Sequence, residues 1–155
     1  MALIIEDGSK VSGANSYATE AELTAYALAR GVTITGTAEQ LMIKAMDYLE
    51  GKRFVGSKAA SDQALQWPRY GVLIDGFYLS SDSMPENLKE AQMEIALALD
   101  ADNDPLAVQG RETRREKVGD LEVEYASTAR ASIYLTGAEN KLRKLVKTGV
   151  TVIRS

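Results

Sequence analysis

The glycines at positions 8 and 13 are spaced as in a phosphate-binding loop. In such a loop, backbone N–H groups cradle phosphate, and the Lys and Ser or Thr at its end contact phosphate and Mg²⁺. Ala14 and Asn15 follow the second glycine here, so those two groups are missing. We therefore expect residues 8–13 to form a flexible loop that binds no nucleotide.

Three acidic residues repeat at alternate positions, like the opening of a calcium-binding loop. Asp100, Asp102 and Asp104 would supply the first carboxylates, but Pro105 replaces the glycine that the sharp turn needs. Arg111 stands at the twelfth position, where a bidentate Glu closes such a site. An acidic turn that ends a helix is the better interpretation, and we expect no metal site.

The sequence also lacks residues on which most catalytic sites depend. It contains no His and no Cys, which excludes the commonest general base, cysteine nucleophiles and disulfide bonds. A serine nucleophile would then need a Lys partner, but Ser57 and Lys58 are neighbours in a predicted loop with nothing to orient them. We expect a protein that is not an enzyme and that holds no cofactor.

Charged residues are unevenly distributed along the chain. Residues 1–110 contain 8 basic and 16 acidic groups, a net charge of −8, whereas residues 111–155 contain 10 basic and 6 acidic groups, a net charge of +4. A basic end on an acidic body indicates an anionic partner, although a solvated surface would give the same composition. Single-stranded DNA is one such partner, because it binds basic grooves that carry stacking aromatic rings.

The residues available for such a groove come from two parts of the chain. The aromatic ones are Trp67, Tyr70 and Phe77. The basic ones are Arg111, Arg114, Arg115 and Lys117, together with the cations of a predicted helix over residues 137–147, which are Lys141, Arg143, Lys144 and Lys147. Glutamates at positions 112, 116, 122 and 124 lie among the basic residues and count against this hypothesis. The alternative for Trp67 is a loop anchor buried in the core.

The spacing of apolar residues predicts four helices that would position these groups, over residues 17–30, 38–50, 86–101 and 137–147. Ser16 is the expected N-cap of the first helix, and Thr37 and Thr136 begin capping boxes for the second and fourth. The first helix would bury Ala21, Ala25 and Leu28. A long irregular segment, 52–83, separates the second helix from the third.

Residues 112–126 change to a period of two, which predicts a β-hairpin with Gly119 and Asp120 in its turn. This register sets Lys117 opposite Glu122 and Arg115 opposite Glu124. A lone hairpin is marginally stable in water, so we expect it to lie on its own domain or on a neighbouring molecule.

Together these patterns predict a mainly α fold, a compact bundle of about four helices with a β-hairpin and extended terminal arms. One domain, 1–155, would comprise an N-terminal arm (1–15), a helical core (16–110), the hairpin (111–127) and a C-terminal helix and tail (128–155). No apolar stretch approaches the length of a membrane span, so we expect no membrane partner.

The order of short motifs resembles a family of tailed-phage and prophage structural proteins over nearly the whole chain. The most specific motif is Ala-Leu-x-Trp-Pro-Arg at positions 64–69, and the others lie at 13–19, 44–49, 84–86, 91–94, 115–119, 122–125 and 149–154. Members of this family are head–tail connectors, also called adaptors or head-completion proteins. Some carry the label of putative DnaT-like single-stranded-DNA-binding proteins.

The resemblance implies a virion structural protein that forms a ring, usually dodecameric, between the portal protein and the tail completion or stopper protein. Genomic DNA would pass through the lumen without sequence-specific binding. The protein would be made in the host cytoplasm and end at the head–tail junction of the virion. The alternative function is that of a DnaT-like accessory protein of replication that binds single-stranded DNA.

We expect contacts with other molecules to involve the loop that contains the motif at 64–69, here called the tryptophan loop, as well as the predicted hairpin and the β-prone tail. Short exposed strands pair readily with an open edge. The candidate interface residues are Trp67, Arg69, Tyr70, Arg114, Arg115, Lys117, Tyr125, Val152, Ile153 and Arg154.

Overall fold

The computed structural model describes residues 2–106, 117–118, 121–122 and 135–148. Within these ranges the chain forms four helices: α1 (Glu20–Ala29), α2 (Ala38–Glu50), α3 (Glu86–Asp100) and α4 (Thr136–Leu142). Two-residue strands form three antiparallel pairs: β1 (Ser57–Lys58) with β2 (Arg69–Tyr70), β3 (Leu73–Ile74) with β4 (Phe77–Tyr78), and β5 (Lys117–Val118) with β6 (Leu121–Glu122). None of the helices in the described ranges has the length and apolar character needed to span a membrane.

Helix α3 lies at the centre of the described fold, because it packs against each of the other three helices. The segment between α2 and α3 completes the core with buried residues of its own, which are Phe54, Leu65, Trp67 and Val72. The chain is mainly α-helical with small β elements, as predicted. The prediction of a compact helical bundle needs correction, because loop and strand residues fill a part of the core that helices would fill in a bundle.

Helix α1 begins at Glu20 instead of residue 17, because the preceding backbone is bound to α3. The side-chain oxygen of Gln92 accepts hydrogen bonds from the N–H groups of Tyr17 (2.9 Å) and Ala18 (3.2 Å), which holds this stretch outside the helix. Thr19, and not Ser16, is the N-cap, and it forms a capping box with Glu22.

The apolar face predicted for α1 is exposed to solvent. Leu28 is 78% exposed, whereas Leu23, Tyr26 and Ala27 are buried. The phenol of Tyr26 reaches α3, where it donates a hydrogen bond to Glu94 at 2.7 Å. The larger Leu23 and Tyr26 side chains bury more apolar area than a stripe of alanines could, so they set the rotation of the helix.

The other helices follow their predictions to different extents. Helix α2 has the predicted bounds, but the side chain of its N-cap, Thr37, makes none of the predicted capping hydrogen bonds. Helix α3 ends one residue before its predicted end. Helix α4 ends at Leu142, earlier than predicted, because residues 145–147 pair with residues 53–55 instead of continuing the helix. The N–H of Val55 donates to the Leu145 carbonyl at 2.9 Å, and the N–H of Lys147 donates to the Arg53 carbonyl at 2.7 Å.

The predicted hairpin is present in the described residues with the predicted register, since Lys117 pairs with Glu122 and Val118 with Leu121. The predicted pair of Arg115 with Glu124 lies outside the described residues. The β3–β4 hairpin was not predicted. Its turn residues, Asp75 and Gly76, have φ values of 51° and 86°, which is the pattern of a type I′ turn.

The N-terminal segment folds back on the body instead of forming an extended arm. Ile5 and Ser16 form a parallel bridge, and the N–H of Glu6 donates to the Ser16 carbonyl at 2.9 Å. The predicted C-terminal tail, 150–155, lies outside the described residues.

Candidate nucleic-acid interface

The two sequence motifs with the spacing of ligand sites are occupied by contacts within the chain. The fully buried carboxylate of Glu6 accepts hydrogen bonds from the N–H groups of Gly8 (2.8 Å), Lys10 (2.9 Å) and Val11 (2.8 Å). The glycine loop therefore does cradle an anion, but the anion is a side chain of its own protein. This also corrects the prediction of a flexible loop, because Glu6 ties the loop to buried structure.

Asp100, the first residue of the calcium-like repeat, binds the α1–α2 loop instead of a metal. Its carboxylate accepts hydrogen bonds from the N–H groups of Thr35 (2.9 Å) and Gly36 (2.7 Å) and from the Thr35 hydroxyl. These hydrogen bonds lower the pKa of Asp100, the one from the Thr35 backbone most of all. The described residues contain no cluster of acidic side chains that could hold a metal ion.

The predicted interface residue Trp67 lies in the core of the monomer. Its side chain is fully buried and packs edge-on against Phe54, with ring centroids 5.9 Å apart. Its backbone N–H donates to the phenol oxygen of Tyr17 at 3.3 Å. Of the two options that the sequence left open, the structure therefore supports the buried loop anchor, and the indole is not available at the surface.

Arg69 is also buried, and its guanidinium is bound by the backbone around it. Nε donates to the Val55 carbonyl at 2.7 Å, and the terminal nitrogens donate to Gly56 and to the backbone and side-chain oxygens of Gln66. Burial lowers the pKa of Arg69, yet these acceptors compensate the cation for lost water. Arg69 holds the two sides of the β1–β2 ladder together and does not present its charge to solvent.

The tryptophan loop is anchored to α2 by Glu50. The carboxylate accepts a hydrogen bond from the Tyr17 phenol at 2.7 Å and another from the N–H of Gln66 at 2.9 Å. Burial raises the pKa of Glu50, and burial together with the neighbouring Glu50 charge raises the pKa of Tyr17. The buried contacts of Glu50, Trp67 and Arg69 fix the tryptophan loop to the core, and β2 and the β3–β4 hairpin follow this loop in the chain.

The strands that follow the tryptophan loop carry exposed aromatic residues. Tyr70 at the end of β2 is 55% exposed, and Phe77 and Tyr78 on β4 are 77% and 78% exposed. Burying such rings in the core would be favourable, so their exposure on one short stretch of chain marks a segment that could bind another molecule. Phe77 and Tyr78 are neighbours in β4, so their rings lie on opposite faces of the hairpin. Leu73, opposite Tyr78 in the register, is also exposed.

One cationic side chain reaches the tip of this hairpin, and two more are exposed on the paired segments 53–55 and 145–147. Lys144, in the turn after α4, extends to Asp75 at the tip of the β3–β4 hairpin, where Nζ lies 2.6 Å from the carboxylate. Arg53 and Lys147 are exposed and flank the Phe54–Val146 bridge. Arg53 lies on the segment that leads into β1, and Lys147 lies on the segment after α4. We group these exposed rings and cations under the name aromatic hairpin surface, and its residues are Arg53, Tyr70, Phe77, Tyr78, Lys144 and Lys147.

Sequence reasoning found only part of this surface. Tyr70 was a candidate interface residue, and Phe77 was named among the possible stacking rings. Lys144 and Lys147 were included as cations of the predicted fourth helix, whereas Tyr78 and Arg53 were missed. Asp75-Gly76 between apolar residues is a hairpin signal that would have placed Tyr78 on a strand. The candidates Arg114, Arg115, Tyr125, Val152, Ile153 and Arg154 lie outside the described residues, and Lys117 is described in its backbone alone.

A comparison with known protein families gives a match over the whole chain. Residues 1–155 match the family described as "Putative DnaT-like ssDNA binding protein". No curated protein and no solved structure matches the chain.

The family description corrects the leading prediction from the sequence. It names single-stranded-DNA binding, which conflicts with a head–tail connector of the virion and corresponds to the alternative function. The predictions of a ring, of portal and tail-completion partners, and of DNA that only passes through a lumen are therefore wrong. The host-cytoplasm location stays a prediction. The part of the resemblance that concerned the DnaT-like label is confirmed, and the chain belongs to the family of putative DnaT-like ssDNA binding proteins.

Proposed function

We propose that this protein binds single-stranded DNA through the aromatic hairpin surface, without catalysing a reaction. The observation that carries the proposal is the exposure of Tyr70, Phe77 and Tyr78 within one short segment, with the Lys144 cation bound at the tip of the hairpin that carries two of these rings. The family description supports the class of partner.

The chemistry of the surface suits a single strand better than a duplex. Every base has a π-face, and stacking on an aromatic side chain contributes about 1–3 kcal/mol per base. In a duplex the bases already stack on one another, so rings on a short hairpin would have little access to them. Lys144, Lys147 and Arg53 would meet the phosphates that connect the stacked bases.

The charge distribution sets the expected strength of binding. Residues 1–110 carry a net charge of −8, so much of the body repels DNA, and only a cationic surface can approach the backbone closely. Contacts with three or four phosphates predict a slope of about −2 to −3 when the logarithm of the affinity is plotted against that of the salt concentration.

Fluorescence anisotropy with a labelled oligothymidylate, measured at several salt concentrations, tests the proposal. We expect Phe77→Ala and Tyr78→Ala each to weaken binding by roughly tenfold. Leu28→Ala is a matched control, because Leu28 is as exposed as Tyr78 and α1 makes no contact with β3 or β4 among the described elements. A duplex of the same length should bind more weakly.

Two results would contradict the proposal in different ways. If the protein binds no single-stranded DNA at low salt, the function is wrong. If it binds and the Phe77 and Tyr78 variants bind as tightly as the Leu28 variant, the function stands and the assignment of the surface is wrong.

A further inference from the structure

We propose that Asp75 limits the affinity of the aromatic hairpin surface for single-stranded DNA by competing with phosphate for Lys144. This inference rests on the proposed function and adds to it a residue that tunes binding. It identifies an acidic side chain, placed among the binding residues, whose removal should improve binding.

The first step is the geometry of the ion pair. Lys144 Nζ lies 2.6 Å from Asp75 Oδ2, although the two residues are 69 positions apart in the sequence. Both side chains remain accessible to solvent, with 48% of Lys144 and 64% of Asp75 exposed. A phosphate could therefore reach the ammonium group without any rearrangement of the core.

The second step is the chemical likeness of the two anions. A carboxylate and a phosphodiester both offer anionic oxygens to an ammonium group, so the same Lys144 site can accept either. Exposed ion pairs contribute roughly 0–1 kcal/mol, so a phosphate can displace Asp75 at small cost. The free energy of the Asp75–Lys144 pair is lost when phosphate takes its place, which lowers the net gain from the phosphate contact.

The third step is that the turn does not need this charge. Asp75 and Gly76 both have positive φ, and Asn-Gly is at least as favourable as Asp-Gly in a type I′ turn. Replacing Asp75 with Asn therefore keeps the hairpin and the size of the side chain. The substitution isolates the effect of the negative charge.

The experiment compares Asp75→Asn with Asp62→Asn in the same oligothymidylate assay at low salt. Asp62 is an exposed residue in the loop between β1 and β2, so both variants lose one negative charge from the surface. We expect Asp75→Asn to bind roughly two- to fivefold more tightly than Asp62→Asn, since that is the range of exposed ion pairs. In a Lys144→Met background the difference between the two Asp variants should disappear.

The outcomes separate this inference from the proposed function. Tighter binding by Asp75→Asn that depends on Lys144 supports the inference. Equal binding by the two Asp variants, or an advantage of Asp75→Asn that survives in the Lys144→Met background, overturns it while the proposed function stands. If none of the proteins binds single-stranded DNA, the proposed function is wrong and the inference is wrong with it.

Discussion

The side-chain oxygen of Gln92 accepts the backbone N–H of Tyr17 at 2.9 Å, and so joins the middle of α3 to the residues before α1. The same oxygen accepts the N–H of Ala18, while the side-chain nitrogen donates to the Ser16 hydroxyl and to the Met42 carbonyl. One fully buried amide thus satisfies polar groups from two other segments of the chain, residues 16–18 and α2.

We expect Gln92→Leu to lower the free energy of unfolding by about 2–4 kcal/mol, because it leaves buried backbone groups without partners. Urea denaturation followed by circular dichroism would measure the change. Gln40→Leu is the control, since Gln40 is an exposed residue of α2 and its replacement should change stability by less than about 0.5 kcal/mol. Similar losses in the two variants would contradict the role of Gln92.

Two glycines with the same backbone conformation should respond differently to substitution. Gly56 and Gly71 have φ values of 69° and 70°, so alanine is strained at both. A Cβ at Gly56 would lie 2.4 Å from the Tyr70 carbonyl and 2.8 Å from Val72, whereas at Gly71 it would meet nothing within 4 Å.

We therefore expect Gly71→Ala to destabilise the protein by about 1–2 kcal/mol, which is the cost of the left-handed conformation alone. Gly56→Ala should lower stability considerably more, because the β1–β2 ladder must separate to admit the methyl group. Thermal denaturation of both variants measures the difference. Equal melting temperatures would show that the ladder tolerates the methyl group.

Stability should fall on acidification partly through Glu139. Burial raises the pKa of this carboxyl, but hydrogen bonds from Lys52 and Tyr48 and the charge of Lys52 outweigh burial, so its pKa lies below the usual value. A carboxyl with a lowered pKa contributes stability above its unfolded pKa, and this contribution is lost as the pH falls through the folded pKa.

Glu139→Gln should therefore flatten the loss of stability below about pH 4.5, which urea denaturation across a pH series would measure. Glu50 gives the opposite sign, because its raised pKa contributes stability at low pH that is lost as the pH rises through the folded value. If Glu139→Gln and the unchanged protein lose stability in parallel on acidification, the ion pair with Lys52 does not couple folding to pH.

The buried position of Trp67 makes the single tryptophan a reporter of folding and not of DNA contact. Selective excitation of tryptophan should give an emission spectrum typical of an apolar environment, with little quenching by acrylamide. Addition of oligothymidylate should leave this spectrum unchanged, whereas urea should shift it to longer wavelengths. Strong quenching by DNA would indicate that bases reach the indole, and would contradict its place in the core.

The sequence predicted those parts of the fold in which local pattern and burial agree. Helix α2 has a clear apolar stripe and the predicted bounds, and the β5–β6 register follows from alternation around a turn. The prediction of which face of α1 is buried was wrong, because alanines at helical spacing resemble the apolar stripe of a core helix. Helix α1 is instead held by the Tyr26 side chain and by the contacts of Gln92 with the backbone before the helix. Those contacts join residues far apart in sequence, where periodicity carries no information.

The candidate interface was predictable to a smaller extent for the same reason. An aromatic residue is exposed or buried according to its neighbours in space, so Trp67 and Tyr70 could not be told apart from their types. The pairing of Lys144 with Asp75 depends on how the chain after α4 packs against residues 53–55, and no sequence motif indicates this packing.

The Glu6 carboxylate occupies the anion position of the glycine loop, so removing this side chain should create an empty anion site. A Glu6→Ala protein would keep the donor groups of Gly8, Lys10 and Val11 pointing at a vacated anion position. Millimolar sulfate or phosphate should then restore part of the lost stability by chemical rescue, with no comparable gain for the parent protein. The loop would then bind the kind of anion that its glycine spacing suggests. In the parent protein the Glu6 carboxylate occupies that position and excludes other anions.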